Sequence, residues 1–164
     1  MVTVYLGLGS NIGDSRQYIE HAIRLMGSSL SGVKRAPFYL SKAVGYTDQP
    51  DFMNTVVSGQ TKLEPEALLA HLKYIEQQVG RTASFRWGPR QIDIDIIFYG
   101  DQTLKTDKLT LPHPRFRERD FVLRPLNDLN PRLTDPVSGQ TVAQLLERLS
   151  PGQHSLIRQV DENS

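Results

Sequence analysis

The chain has 164 residues, of which 38% are hydrophobic and 23% charged, with 19 Lys and Arg against 18 Asp and Glu, a formal net charge of +1 and no cysteine. A chain of this size can bury one sizeable core, and its balance is not that of a disordered, fibrous or membrane protein. The lack of cysteine excludes disulfides, zinc thiolates and thiol nucleophiles, and the small net charge argues against a generally basic nucleic-acid surface.

One domain spanning 1–164 is expected, with 154–164 read as a disordered tail. No apolar stretch approaches the roughly 18 residues that span a bilayer, and no basic region followed by an apolar run opens the chain, so a cytoplasmic, membrane-free protein is expected.

Thr3 to Leu8 reads as a buried strand that stops in a tight loop at Gly7, Gly9 and Asn11. Asp14 or Ser15 can cap the following helix, whose Ile19, Ala22, Ile23 and Met26 recur at helical spacing before Gly27. Val33–Leu40 and Asn54–Thr61 are predicted strands, joined by a long loop from Ser41 to Phe52 that suits binding. Pro65 opens a second amphipathic helix through Leu68, Leu69, Leu72, Ile75 and Val79, closed by Gly80. After the polar stretch Arg81–Gln91, the Ile-rich run Ile92–Tyr99 is the fourth strand. The order strand, helix, strand, strand, helix, strand is that of a ferredoxin-like α+β domain, with an antiparallel sheet and helices on its faces. Short helices are predicted over Arg117–Leu123 and Val142–Leu149, in an extra C-terminal segment.

Chemistry concentrates in Arg86-Trp87-Gly88-Pro89-Arg90-Gln91-Ile92-Asp93-Ile94-Asp95-Ile96. Side chains alternate along a strand, so Asp93 and Asp95 share one face while Ile92, Ile94 and Ile96 share the other. Two carboxylates this close repel unless a cation neutralises them, and magnesium held together with substrate phosphates is the natural occupant. Arg86 and Arg90 just upstream suit a phosphate chain gripped by guanidinium groups opposite the metal. A glycosidase-like acid and base pair explains neither the arginines nor the packed strand.

Gly7-Leu8-Gly9-Ser10-Asn11-Ile12-Gly13 matches neither the dinucleotide fingerprint nor a phosphate loop ending in Gly-Lys-Ser/Thr. Its glycines fit either a plain turn or close approach by a ligand. His113, between two prolines and ahead of an arginine cluster, is read as a phosphate donor, with a structural role as the alternative. Phe52, Trp87 and Phe121 fit core packing or stacking on a flat heterocycle.

From the first strand to about Leu126 the chain resembles the 6-hydroxymethyl-7,8-dihydropterin pyrophosphokinases. The resemblance rests on Arg86–Ile96, on Gly9-Ser10-Asn11 with Gly13-Asp14, on Asp48-Gln49-Pro50-Asp51-Phe52-Met53-Asn54, on Glu76 with Gly80-Arg81, and on Leu111-Pro112-His113-Pro114-Arg115. It implies a ferredoxin-like fold and transfer of pyrophosphate from ATP to the pterin alcohol in folate biosynthesis, with AMP as leaving group. It further implies two Mg2+ ions on Asp93 and Asp95, and Arg81 and Arg90 as catalytic arginines. Gly9, Val44, Phe52, Asn54, Trp87, Asp93 and Phe121 would surround the pterin. Glu76, Arg90, Ile96, Lys108, Thr110, His113 and Arg119 would hold the nucleotide. A monomer that binds these two small molecules and no nucleic acid is expected.

The chain departs from the family pattern at Lys73, where some members carry a nucleotide-contacting Gln, at Ser41-Lys42-Ala43, and in Thr82–Phe85, which lacks a second loop arginine. A nucleotidyltransferase would want a third acidic residue on a neighbouring strand, and none stands out in Asn54–Thr61. An RNA-binding module would want a Lys/Arg-Gly-Phe pattern on its central strands, which is missing.

Overall fold

The computed structural model describes residues 1–44, 48–80 and 91–160. The elements are β1 (Val2–Ser10), α1 (Ser15–Met26), β2 (Ser31–Arg35), β3 (Tyr39–Ser41), β4 (Phe52–Thr61), α2 (Pro65–Val79), β5 (Asp93–Tyr99), β6 (Leu104–Lys105), β7 (Thr110–Leu111), α3 (Asp120–Leu129), α4 (Val142–Glu147) and β8 (Leu156–Gln159). The main sheet runs β5-β1-β4-β3-β8, with β2 also on β4, and β6 and β7 form a small separate hairpin. Every pairing in the main sheet is antiparallel. This is the expected ferredoxin-like α+β order, with one strand added at the edge.

Local signals act as their chemistry requires. The Asp14 carboxylate accepts from Gln17 N at 3.2 Å and caps α1. Pro65 occupies the first turn of α2, where its missing N–H costs nothing, and Gly80 closes the helix in the left-handed region at φ 108°. Gly13, also left-handed at φ 68°, turns the chain into α1.

Period-2 alternation splits β1 between two cores. Val4, Leu6 and Leu8 face α1 and α2, meeting Ile19, Leu68, Leu72 and Ile75. Tyr5 faces the opposite layer, where Val56, Phe116, Leu123, Leu126 and Val142 pack under α3 and α4. The result is three layers, helices over sheet over helices. Alternation fails once in β5: the ladder shifts opposite Tyr5 and Leu6, and consecutive Ile97 and Phe98 both join the second core.

Three expectations are corrected. The predicted strand Val33–Leu40 is two strands, because Pro37 cannot donate to a ladder, and Thr55 Oγ1 fastens the break by donating to Ala36 O at 2.9 Å and Pro37 O at 3.2 Å. β1 does not end in a loop at Gly7 but runs through Gly7 and Gly9 to Ser10. The C-terminal stretch read as a tail contains β8, which pairs with β3 from Tyr39↔Gln159 to Ser41↔Leu156.

Candidate active site

Above the β1 face that lacks side chains lies a cleft of about 570 Å³, within the usual range for small-molecule sites. Its floor follows from the strand register. Asn54 on β4, Gly9 on β1 and Asp93 on β5 lie opposite one another, and the next row is Val56, Gly7 and Asp95. Residues paired in this way point to the same face, so the two carboxylates and the Asn54 amide flank a central strand with no side chain. A Cβ on Gly9 would come within 3.3 Å of Asn54 Oδ1 and 3.6 Å of Phe52 Cδ1, and one on Gly7 within 3.2 Å of Ile97. The glycines left open between turn and close approach therefore divide: Gly13 serves the turn, whereas Gly7 and Gly9 keep the floor clear.

Of the pterin-side residues proposed from the resemblance, Gly9, Val44, Phe52, Asn54, Asp93 and Phe121 line this one cleft, and Asp95 and Arg119 join them. Asn54 is buried, and its amide nitrogen donates to Ser41 Oγ at 2.7 Å and Phe52 O at 3.3 Å, which fixes its orientation. Arg119 lies over the Phe121 ring, 5.6 Å from its centre. Arg81, Trp87 and Arg90, with Arg86, lie outside the described residues.

The nucleotide-side residues are more dispersed. Glu76 is buried in the helix layer, where its carboxylate accepts the Ile94 N–H at 2.8 Å and meets Lys73 Nζ at 3.4 Å. Ile94 separates the two aspartates, so Glu76 secures the strand that presents them. Ile96 points into the core beneath α1 and α2, so its side chain is turned away from the cleft. Lys108 is exposed beside the β6–β7 hairpin, and Thr110 is half-buried on β7. His113 is tied to β5 through its N–H to Ile97 O at 2.9 Å. Lys73, Lys42 and Ser41, at positions where the chain departs from the family pattern, also line the cleft. Asn11, which the sequence reading left without a role, donates to Gln49 Oε1 at 2.9 Å and Pro50 O at 3.0 Å, holding the end of the long loop near Phe52.

The electrostatics favour a bound cation. Asp95 is pushed up to about 7, first by burial and then by the charge of Asp93, with Glu76 adding to the rise and Arg119 and Lys73 opposing it. Two carboxylates side by side on one strand face suit a hard divalent ion. Among the described residues no cluster of three or more acidic or imidazole groups forms a complete cage. A pair of carboxylates with coordination left for phosphate oxygens is what magnesium prefers. His113 is held down to about 4 by burial and by the charges of Arg119 and Arg115, against the pull of Asp93, so it is neutral near pH 7. Its Nδ1 accepts the Arg115 N–H at 3.1 Å, which leaves the proton on Nε2, 3.9 Å from Asp95 Oδ2. The ring thus offers a neutral donor at the carboxylate end of the cleft.

The segment between these groups is anchored from behind. Arg117, two residues before Arg119, donates to the fully buried Asp135 from Nε at 2.5 Å and Nη2 at 2.9 Å. Asp135 also accepts from Val137 N at 3.0 Å and Ser138 Oγ at 2.8 Å.

Comparison with known proteins gives a consistent result. Residues 5–131 match the family model for 7,8-dihydro-6-hydroxymethylpterin-pyrophosphokinase. The 2-amino-4-hydroxy-6-hydroxymethyldihydropteridine pyrophosphokinase of Aquifex aeolicus is 44% identical over 137 residues, covering 84% of this chain and 86% of that one. The Bacillus subtilis protein of the same name is 41% identical, covering 76% of each chain. The mitochondrial folate synthesis bifunctional protein of Pisum sativum is 45% identical over 85% of this chain, which spans only 27% of it. Among solved structures, wild-type Plasmodium falciparum HPPK-DHPS aligns with 90% of this chain at a TM-score of 0.70 and 16% identity, and 44% of that longer chain is matched. The structural likeness supports the fold.

Proposed function

This chain belongs to the 7,8-dihydro-6-hydroxymethylpterin-pyrophosphokinase family and carries out its pyrophosphokinase step in folate biosynthesis; we propose that the cleft over Gly7 and Gly9 is where it does so. The reaction is ATP-dependent, and magnesium is the cation typical of it. The observation that carries the assignment is the row Asn54, Gly9, Asp93 beside Asp95, which sets a polar amide and two carboxylates across a bare strand.

In this reading the pterin ring lies on the backbone of Gly9 between Phe52 and Phe121, with Val44 closing the pocket and Asn54 meeting its polar edge; the resemblance adds Trp87 to the pterin residues. Its hydroxymethyl oxygen attacks the β-phosphorus of ATP. The bond from that phosphorus to the oxygen bridging to the α-phosphorus breaks, AMP leaves, and the hydroxyl proton passes to solvent. Asp93 and Asp95 would hold two magnesium ions, which supply charge neutralisation and alignment of the phosphates. Arg119 and the neutral His113 face the phosphate chain as donors, and the resemblance gives Lys108 and Thr110 to the nucleotide, with Ile96 able to contribute only its main chain. Arg81 and Arg90 carry the catalytic roles that the resemblance gives them. Glu76 serves through the strand it secures. A side chain acting as general base is not required, because positioning and electrostatics can supply most of the rate.

The corresponding proposal is a monomer acting on two small molecules without nucleic acid. No described helix is long and apolar enough to cross a membrane, and a cytoplasmic enzyme is the matching proposal. The test is AMP release from ATP and magnesium with and without 6-hydroxymethyl-7,8-dihydropterin. Pterin-dependent AMP is expected, and AMP release indifferent to the pterin would overturn the assignment.

The bare floor gives a second expectation. Gly9→Ala places a methyl 3.3 Å from Asn54 Oδ1, so the pterin KM should rise about tenfold while the ATP KM changes little, the mark of lost binding at one subsite. Equal changes in both constants would show that Gly9 is not at the pterin.

A further inference from the structure

We propose that Asp120 and Ser155 form a positioning pair that sets the distance between the two walls of the pterin side of the cleft, an inference that rests on the assignment of Phe52 and Phe121 to that substrate. Asp120 opens α3 between Arg119 and Phe121, both of which line the cleft, yet the residue itself is only 2% exposed and is not part of the lining. It accepts hydrogen bonds from Ser155 N at 2.8 Å, Ser155 Oγ at 2.8 Å and Leu156 N at 2.9 Å. Ser155 is bonded to the other wall as well: its carbonyl accepts the Lys42 N–H at 2.9 Å, and β8 begins at the next residue and continues along β3. Ser41, the last residue of β3, receives the Asn54 amide at 2.7 Å. One residue near the C-terminus therefore joins the start of α3, which carries Phe121, to the strand end that leads to Val44 and faces Phe52.

The bracing residue lies beyond 131, where the match to the family model ends, so this wall-to-wall link is drawn from the chain's own C-terminal segment. A buried carboxylate with three donors is a stiff joint, because bonds to a carboxylate are short and strong in a low-dielectric setting. A wall held at fixed spacing needs no ordering when a flat ring enters, and the loss of that pre-organisation appears as weaker binding of that ligand alone.

The experiment is steady-state kinetics on Asp120→Ala, Asp120→Asn and Ser155→Ala, with thermal melts and calorimetric binding of 6-hydroxymethyl-7,8-dihydropterin in the presence of magnesium and a non-hydrolysable ATP analogue. Asp120→Ala should raise the pterin KM about tenfold, with the ATP KM and kcat within about threefold of wild type. Asparagine can still accept from the two main-chain N–H groups, so Asp120→Asn should restore most of the pterin affinity. Ser155→Ala keeps both main-chain links and should shift the pterin KM about threefold in the same direction, which gives a readout should Asp120→Ala not fold. A lowered melting temperature with an unchanged pterin KM, or equal rises in both KM values, overturns the proposal. Wild-type protein that does not bind the pterin overturns the cleft assignment and this inference with it, whereas equal binding by wild type and variants removes the brace alone.

Discussion

Asp95→Ala is expected to lower kcat about 10³-fold, on the scale of losing one group aimed at transition-state charge, while circular dichroism and the melting curve stay those of a folded protein. The two outcomes belong together because Asp95 does not stabilise the empty fold. Burial and the neighbouring Asp93 raise its pKa from 3.8 to about 7, so ionisation is more costly in the folded chain than in the unfolded one. A raised carboxylate pKa means that the folded state holds the proton more tightly, and stability falls as pH rises between those two values. Asp95→Asn, which keeps the shape and removes the charge, should therefore melt no lower than wild type at pH 8 without magnesium. Near-normal turnover in either variant would remove the metal assignment, and a large drop in melting temperature would recast Asp95 as a structural residue.

Asp135→Ala is expected to have the largest effect on stability, a loss of about 3 kcal/mol at pH 7, read from urea midpoints. The carboxylate is fully buried, and its removal leaves Arg117 and the Val137 N–H without their acceptor. Breaking a buried pair from one side costs about 3–5 kcal/mol, and the 30% exposure of the Arg117 side chain places this case at the low end. The acid limb provides an independent check. Burial by itself works to raise the Asp135 pKa, but the bonds from Arg117, Val137 and Ser138 outweigh it and hold the group down to about 2, against 3.8 when unfolded. Its contribution is thus complete above about pH 4 and fades as pH falls towards 2. In Asp135→Asn the slope of stability against pH in that window should flatten, and an unchanged slope would show that another carboxylate governs acid unfolding. Because Arg117 precedes Arg119 by two residues, the alanine variant should also bind ATP less tightly.

What the sequence disclosed and what it hid separate along physical lines. Period-2 alternation placed Asp93 and Asp95 on one face, and that face is the cleft, because a strand leaves side chains no other choice. The helix from Pro65 to Val79 was legible from its start residue, its stripe and its closing glycine, each a local signal. The layered fold followed from element order alone. Less visible were contacts whose partners are far apart in the chain and chemically ordinary. Asn11 meets Gln49 across 38 positions and Asp120 meets Ser155 across 35, and no periodicity announces either pair. Strand β8 escaped notice because an exposed edge strand needs no apolar alternation, and Ile157, Arg158 and Gln159 all face solvent. Glu76, expected at the nucleotide, is buried with its carboxylate on the Ile94 N–H, a location that residue type alone does not disclose.

The clear strip along β1 bears on how inhibitors of this enzyme would age. A flat compound lying over Gly7 and Gly9 rests on peptide groups, which are the same whatever the codon. The changes available there add a Cβ that crowds Asn54, Phe52 or Ile97, and so would hinder the pterin proposed to lie there as much as the drug. Escape through the floor is therefore self-limiting. Resistance should instead accumulate at Val44, which is 47% exposed on the rim, and a compound that makes its contacts low in the trough and avoids that rim should keep its potency longest.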